Sequence, residues 1–269
     1  MTFTLLKEWI KEDPARKRAS FFLIRFLSPL SPSTFIKGIL NYWWFIRDLL
    51  KFRSMGGRAE LLDCYPCLFD KTLTTSFDAQ YLYQAAWGAK KIYEHRPDTH
   101  FDIGSHLSFV TQLAAFTKVD FIDIRPADIT IDGFRSIPGS ITKLPLQDAS
   151  ISSISSMHVI EHIGLGRYGD PLQVDGPLLA CKEISRVLRV GGRAYISVPI
   201  GRARVGFNGL YVFDAANFPK YFDNCRVVDF AYVDCDGSFN DACDHKMVQL
   251  RETTGGLDFG LGIYVLEKQ

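Results

Sequence analysis

The sequence predicts an α/β protein built on a mostly parallel sheet, and three observations support this fold class. Its 269 residues are 47% hydrophobic and 23% charged, an ordinary globular composition with enough apolar side chains for a sizeable core. After residue 95, short apolar runs alternate with stretches of helical periodicity, which is the pattern of parallel strands joined by crossover helices. No repeat of fixed period is visible, so one principal fold accounts for most of the chain.

Apolar runs and helical periodicity predict the elements of this sheet. Two amphipathic stretches, Phe109–Thr117 and Leu178–Leu188, are predicted to be crossover helices. The second should carry Arg189 in its last turn and end at Gly191 and Gly192, which supply a left-handed stop. The predicted strands are Thr99–Ile103, Val119–Ile124, Ile154–Met157, Arg193–Val198, Val227–Val233 and Gly260–Leu266.

The first 60 residues differ from the rest in charge. They carry eleven Lys and Arg against five acidic residues, although the whole chain has a formal net charge of only +1. That balance gives no reason to expect a nucleic-acid partner. An apolar run from Ala19 to Leu30 is interrupted by Arg25 and is too short to span a bilayer, and no signal-peptide cleavage pattern follows it.

A basic amphipathic helix is predicted next, capped by Ser33 or Thr34. Its apolar positions recur at spacings of three and four, and they are Ile36, Leu40, Trp43, Ile46 and Leu50. Such a helix either packs on the protein's own core or lies on an anionic membrane. Residues 19–53 are therefore a candidate peripheral membrane contact, on the inner face of the membrane if the protein is cytoplasmic.

Six cysteines at irregular spacings, without a secretory signal, indicate reduced thiols in a cytosolic compartment. Cys64 and Cys67 form a C-x-x-C pair. Cys235, Cys243 and His245 lack the spacing of a second half-site, so no metal site is predicted.

Acidic residues follow the first two predicted strands. Asp102 and Gly104 lie in HFDIGSHLS, and Asp123 lies about twenty residues later in FIDIRP. Open α/β sheets bind ligands at the carboxyl edge, where a carboxylate at this separation reaches the hydroxyls of a bound ribose. An aspartate at a strand end is also a common helix cap. No G-x-G-x-x-G follows the first strand, which argues against a dinucleotide-dependent oxidoreductase.

A family resemblance adds to this interpretation. The motifs HFDIGSHLS, FIDIRP, SITKLPLQDASISSISSMHVIEHI and LLACKEISRVLRVGGRAYISVP, in this order, resemble class I S-adenosylmethionine-dependent methyltransferases over residues 98–200. The stretches EHIGLGRYGDP, SVPIGRARVGFN and LGIYVLEK are similar to a narrower branch, a domain of unknown function also found in bacterial polysaccharide gene clusters. The resemblance implies a Rossmann-like sheet of seven strands with an antiparallel last hairpin, in a domain of residues 61–269 behind an arm of residues 1–60.

The same resemblance implies S-adenosyl-L-methionine as cofactor and assigns its site. Asp102 and Gly104 would lie near the methionine part, Asp123 would bind the ribose, and Ile141 and Leu144 would flank the adenine with Ser140. The predicted cofactor-binding residues are Asp102, Gly104, Ser105, Asp123, Ile124, Ile141, Leu144 and His158. His106 and Ser108 stand where relatives usually carry glycine, and side chains there narrow the pocket.

The predicted catalytic residues are His158, Glu161, Arg167 and Asp170. His158 is the first side chain after the predicted strand Ile154–Met157 that can face the pocket, and histidine suits removal of a hydroxyl proton near neutral pH. Glu161 is either structural or lies near the cofactor's sulfonium. Arg167 and Asp170 belong to a long glycine-rich stretch typical of a functional loop that closes over an acceptor.

These observations predict an S-adenosylmethionine-dependent methyltransferase that acts on an oxygen of a small molecule, a sugar or glycan precursor. Methyl transfer from a sulfonium is an in-line displacement, so alignment supplies much of the rate and few catalytic groups are required. The alternative is a catalytically inactive relative that serves as a binding or scaffolding subunit of a membrane-associated polysaccharide assembly complex, which His106 and Ser108 favour. The oligomeric state is not predicted.

Overall fold

The computed structural model of the protein describes residues 35–241, 243–250 and 259–269. The chain divides into two compact units, the first ending at Ser76 and the second beginning at Phe77. The apolar run of residues 19–30 and the predicted caps Ser33 and Thr34 lie outside the described residues.

The described part of the first unit contains one long helix, α1 (Phe35–Ser54). The five apolar positions predicted for this helix, from Ile36 to Leu50, are all exposed. Within the unit, Asn41 donates a hydrogen bond to the carbonyl of Leu68 at 2.8 Å. None of the helices in the described ranges is long and apolar enough to cross a membrane.

The second unit is built on a single large sheet with three helices. The strands of the sheet are β1 (Thr99–Ile103), β2 (Lys118–Asp123), β3 (Phe134–Pro138), β4 (Ile151–Met157), β5 (Leu188–Ile200), β8 (Cys225–Val233), β9 (Phe239–Asn240) and β10 (Gly260–Lys268). A separate hairpin is formed by β6 (Arg204–Gly206) and β7 (Leu210–Val212). The helices are α2 (Ala79–His95), α3 (Leu107–Leu113) and α4 (Gly176–Val187).

The strand order in the sheet is β3-β2-β1-β4-β5-β10-β8-β9. Strands β1 to β5 pair in parallel, whereas β10 is antiparallel to both β5 and β8. The predicted fold class, a mostly parallel α/β sheet with a late antiparallel hairpin, is confirmed. The expected count of seven strands is wrong, because the two-residue strand β9 pairs with β8 and adds an eighth at the edge.

All six predicted strands form, β1 with the predicted ends and the other five with shifted ends, but the predicted end of the second crossover helix is wrong. Helix α4 stops at Val187, and Leu188 already pairs with Ile151 in the sheet. Arg189 therefore lies in β5 rather than in a last helical turn. Gly191 has a φ of +75°, so it makes a turn inside β5 instead of ending the helix.

The crossover helices lie on opposite faces of the sheet, and this arrangement positions the site. Helices α2 and α3 pack on one face, where Trp87 and Phe109 belong to the same apolar cluster. Helix α4 packs on the other face through residues such as Ile184. Because the chain leaves β1 toward one face and β4 toward the other, a crevice opens between these neighbouring strands at their carboxyl ends.

Candidate functional site

A cavity of about 450 Å³ occupies this crevice. Gly104 reaches it from the end of β1, Asp123 from the end of β2 and His158 from the end of β4. Its size lies within the range of small-molecule sites, about 300–1,000 Å³. The structure therefore brings together three of the predicted site residues at the edge where α/β sheets bind ligands.

Asp123 and Gly104 form a close pair in the cavity wall. The Asp123 Oδ1 atom accepts a hydrogen bond from the backbone N–H of Arg125 at 2.7 Å, which leaves Oδ2 for another donor. Gly104 has a φ of +65°, and a Cβ atom built on it would lie 3.4 Å from Asp123 Oδ2 and 3.2 Å from Val159 Cγ1. The backbone conformation thus favours glycine here, and an added Cβ would be in tight contact with the Val159 methyl and in van der Waals contact with the carboxylate.

Asp102 and Ser105 do not line the cavity, although they were predicted to bind cofactor. Asp102 is fully buried and accepts hydrogen bonds from the Ser105 backbone N–H at 3.0 Å, the Ser105 hydroxyl at 2.7 Å and the Ser155 hydroxyl. The Ser105 hydroxyl in turn accepts from the Met157 N–H at 2.9 Å. These contacts use Asp102 to hold the turn after β1 rather than to face a ligand.

Burial raises the pKa of Asp102 from 3.8 to about 7, with a smaller contribution from the negative charge of Asp123. The hydrogen bonds from the two serines act in the opposite direction. His100 continues this network, since its Nδ1 lies 2.7 Å from the Ser153 hydroxyl and its Nε2 lies 2.8 Å from the Ser155 hydroxyl. Burial lowers the pKa of His100 from 6.5 to about 3, so this imidazole is neutral.

The predicted adenine-binding residues are divided between the cavity and the core. Ile124 and Ile141 line the cavity and give it apolar walls beside Asp123. Leu144 does not line it, because its side chain is buried in the core and its N–H donates to Glu183 Oε2 at 2.8 Å.

His158 adopts an uncommon backbone conformation at the end of β4. Its φ is +59°, and its N–H donates to the carbonyl and the hydroxyl of Ser197 at 3.1 and 3.0 Å. The imidazole stacks on the Tyr81 ring, with centroids 5.0 Å apart. Its Nδ1 lies 2.6 Å from Glu161 Oε1. Its Nε2 is buried and has no hydrogen-bond partner among the described residues.

Glu161 is completely buried behind His158 and does not line the cavity. Its Oε1 also lies 3.8 Å from His162 Nε2, so this carboxylate is shared between two imidazoles. The second carboxylate oxygen, Oε2, has no partner in the described part of the chain. His162 is anchored on its other side, since its Nδ1 lies 2.7 Å from the Gly209 carbonyl.

Asp170 orders the loop between β4 and α4. Its Oδ2 accepts from the N–H groups of Gly164 at 2.8 Å and Gly166 at 3.4 Å, and its Oδ1 accepts from the Tyr168 N–H at 3.3 Å. Asp170 lines the cavity, whereas Arg167 does not. Arg167 instead donates to the Gly209 carbonyl at 3.2 Å.

The ring of Tyr168 is contacted by two guanidinium groups. Arg125, from the loop after β2, lies 4.6 Å from the ring centroid, and Arg167 lies 5.1 Å from it. Such cation–π contacts stabilise by about 0.5–1 kcal/mol each at exposed sites. The contact of Arg125 with Tyr168 links the loops that follow β2 and β4 at the rim of the cavity.

His106 does not fill the cavity, although it forms part of its wall. The imidazole is exposed at the start of α3, where its Nδ1 accepts from the Ser108 N–H at 3.3 Å. The His106 side chain therefore caps a helix and leaves the cavity open.

The possible metal ligands of the described residues do not form a metal site. All six cysteines are free thiols. Within the described ranges, no group of three or more His, Cys, Asp or Glu side chains has the geometry to hold a metal ion.

Comparisons with known proteins give one partial family match. Residues 143–234 match the family model described as "Caenorhabditis protein of unknown function, DUF268". This match covers about a third of the chain and does not confirm the narrower bacterial branch of the predicted resemblance. No curated protein matches the chain.

Solved structures similar to this chain include several described as methyltransferases. A chain from the complex of the Haloferax volcanii Trm112 methyltransferase activator with a putative methyltransferase is 16% identical, with a TM-score of 0.46, covering 70% of this chain and 92% of that one. YcgJ from Bacillus subtilis is 12% identical, with a TM-score of 0.46 and coverages of 70% and 99%. The Burkholderia thailandensis 1,6-didemethyltoxoflavin-N1-methyltransferase is 13% identical, with a TM-score of 0.46 and coverages of 69% and 79%.

Proposed function

We propose that the second unit is an S-adenosylmethionine-dependent methyltransferase that acts on an oxygen of a small acceptor, a sugar or glycan precursor. The observation that carries this proposal is the pairing of Gly104 with Asp123 in the wall of the 450 Å³ cavity that His158 also lines, where Nε2 of His158 has no hydrogen-bond partner among the described residues. The motif resemblance over residues 98–200 supports the same conclusion.

The residues present fit the cofactor. Asp123 Oδ2 accepts no hydrogen bond from the described residues and suits the hydroxyls of a ribose, and the missing Cβ of Gly104 lets a ligand approach the backbone next to that carboxylate. Ile124 and Ile141 offer apolar surfaces on which the adenine ring can pack. Asp102 and Ser105 would act indirectly, because they fix the turn that carries Gly104.

In this proposal the cofactor and the protein have different roles in methyl transfer. When bound, S-adenosylmethionine supplies an electrophilic methyl group on a sulfonium. The chain has to align the acceptor with it at about 3–3.5 Å and hold the proton that an acceptor hydroxyl releases. Nε2 of His158 is the atom placed to take this proton, and Glu161 holds the opposite side of the ring. Asp170 and Arg167 contribute by ordering the loop over the cavity.

The experiment that tests this function is calorimetric titration of the full chain with S-adenosylmethionine and with S-adenosylhomocysteine. We expect dissociation constants between about 1 µM and 1 mM for both, in the usual range of substrate affinities. Absence of heat and of saturation at about 1 mM ligand would reject the enzyme and leave the binding or scaffolding subunit as the remaining interpretation.

For the first unit, we propose peripheral contact of α1 with the anionic inner face of a membrane. Its exposed apolar residues, such as Trp43, alternate with basic residues, such as Lys51. The test is sedimentation of the full chain with anionic and with neutral vesicles, using Trp43→Glu as the variant. Binding that is equal for both vesicle types, or unchanged in the variant, would contradict this contact.

A further inference from the structure

A second cavity of about 380 Å³ borders the first one, and we call it the second chamber. The two cavities share the side chains of Tyr81, His106 and Met157. The remaining wall of the second chamber comes from the facing helices α2 and α3, and it consists of Gln84, Ala85, Ser108 and Phe109. Tyr81 stands at the boundary, since its ring also stacks on the imidazole of His158.

Gln84 is the polar anchor of this chamber. Its side chain is only 4% exposed, and its Oε1 accepts a hydrogen bond from the Ser197 hydroxyl at 2.5 Å. The same hydroxyl accepts from the backbone N–H of His158 at 3.0 Å. Ser197 therefore holds the amide of Gln84 in one orientation, which leaves the two N–H donors of that amide for a ligand.

The chamber contains no side chain that matches a charged ligand. Its seven lining residues include no Lys, Arg, Asp or Glu. The Nδ1 of His106 is engaged by Ser108, whose N–H lies 3.3 Å and whose hydroxyl lies 2.8 Å from it. Burying a charge without a partner is strongly unfavourable. The ammonium and carboxylate of an amino-acid tail, such as that of S-adenosylmethionine, are therefore poorly suited to this chamber.

We propose that the second chamber binds the methyl acceptor, and that the part it holds is an uncharged ring that carries a hydrogen-bond-accepting oxygen. Phe109, Met157 and Tyr81 provide apolar surface for the ring, and the Gln84 amide donates to the oxygen. Ser197 bonds both Gln84 and the backbone N–H of His158, and the Tyr81 ring stacks on the His158 imidazole, so the acceptor ring is held beside the residue proposed to take the proton. This inference rests on the proposed methyltransferase function.

Two neighbouring alanines of α2 give a matched pair of variants. Ala85 lines the chamber, whereas Ala86 is exposed on the same helix. Ala85→Phe should fill the chamber, and Ala86→Phe adds the same side chain outside it. A third variant, Gln84→Leu, removes the amide at nearly constant volume. Circular dichroism and thermal unfolding establish that all three variants are folded.

The measurement is binding of small ring probes to the full chain by ligand-observed NMR, with and without saturating S-adenosylhomocysteine. Phenol and cyclohexane-1,2-diol are the uncharged probes, and benzoate and benzylammonium are the charged ones. We expect the uncharged probes alone to bind, in both the presence and the absence of the nucleoside. Ala85→Phe should weaken them more than about tenfold, Gln84→Leu about two- to tenfold, and Ala86→Phe less than about twofold.

Three results would overturn the proposal. Charged probes that bind as tightly as uncharged ones would contradict the preference of the chamber for an uncharged ring. Probe binding that is absent, or indifferent to Ala85→Phe, would show that the chamber is not their site. Competition between the probes and S-adenosylhomocysteine, with Ala85→Phe weakening the nucleoside, would assign the chamber to the cofactor. Failure of the proposed function has a different signature, because then the nucleoside does not bind while the probes still report on the chamber.

Discussion

His158 and Glu161 form a hydrogen-bonded pair in which each partner keeps one unsatisfied atom. Nδ1 lies 2.6 Å from Oε1, while His158 Nε2 and Glu161 Oε2 are buried and have no partner among the described residues. A carboxylate on Nδ1 keeps the proton there and makes Nε2 the basic nitrogen. The φ of +59° at His158 adds strain, which costs about 1–3 kcal/mol in such positions. At His158, backbone strain and an unsatisfied Nε2 occur together, which is the pattern of a group held ready for a ligand.

Replacement of His158 should affect turnover more than cofactor binding. We expect His158→Ala to lower methyl transfer to a hydroxyl acceptor by about 10²–10⁴-fold, the usual contribution of a general base. Glu161→Gln keeps the size of the side chain but removes the charge beside Nδ1, so it should lower turnover less and displace the pH–rate profile. Turnover of labelled S-adenosylmethionine measures both effects. A rate unchanged by His158→Ala would make this residue structural.

Asp123 should control the affinity for the nucleoside. Asp123→Ala removes a charged hydrogen-bond acceptor, which costs about 1.5–3 kcal/mol, or about 10- to 150-fold in the dissociation constant of S-adenosylhomocysteine. Calorimetry measures this change. Asp132→Ala is the matched control, because Asp132 is exposed and precedes β3, at the opposite edge of the sheet. Equal affinities of the two variants for S-adenosylhomocysteine would show that Asp123 does not bind the ribose.

Gly104 should be less tolerant of a side chain than another glycine of similar conformation. Gly104 and Gly191 have φ values of +65° and +75°, but an added Cβ meets Val159 and Asp123 only at Gly104, since nothing lies within 4 Å at Gly191. Both alanine variants should lose about 1 kcal/mol of stability from backbone strain. Only Gly104→Ala should also weaken S-adenosylhomocysteine, as calorimetry can show. Similar nucleoside affinities in both variants would contradict the close approach of the ligand.

The opposed pKa shifts of Asp102 and His100 predict the pH dependence of stability. Burial raises the pKa of Asp102 to about 7, so between about pH 4 and 7 the folded state holds one proton more than the unfolded state, and stability falls as pH rises. Burial lowers the pKa of His100 to about 3, so between about pH 3 and 6.5 the unfolded state holds the extra proton, and stability falls as pH falls. Between about pH 4 and 6.5 the two contributions cancel.

Single substitutions should expose each contribution. Asp102→Asn leaves the histidine, so the free energy of unfolding should fall by up to about 1.4 kcal/mol for each pH unit from 6.5 toward 4. His100→Gln leaves the aspartate, and the free energy should rise by a similar amount as the pH falls from about 7 to 4. Urea unfolding at a series of pH values measures both slopes. If the free energy of unfolding of the two variants depended on pH in the same way, the opposed contributions of Asp102 and His100 would be contradicted.

Apolar runs with helical stretches between them were enough to predict the sheet and the edge that carries the site, because burial in a parallel sheet produces that pattern directly. Strand β3 was missed, since its five residues are only partly buried and Arg135 within it forms an ion pair with Asp120 at 2.6 Å. A short, half-exposed strand with a charge resembles a loop in sequence.

The direction in which each edge residue faces was harder to predict. Asp102 was expected to face the ligand, but two serines, one of them 53 residues further along the chain, hold it inside. The second chamber was missed for a similar reason, because it forms where α2 packs near α3 and no sequence motif encodes that packing. Gln84 supplies the amide of that chamber. Its role becomes visible through its bond to Ser197, 113 residues away in sequence.

The stacking of Arg125 on Tyr168 affects how ligands enter and leave the cavity. Both residues lie on the rim of the cavity and belong to different loops, so their contact connects the two loops across the opening. A planar ring and a guanidinium can slide over each other without losing their attraction. The two loops can therefore move slightly relative to each other while this contact is kept. A molecule that enters or leaves between these loops has to separate the two side chains, which costs about 0.5–1 kcal/mol at an exposed site.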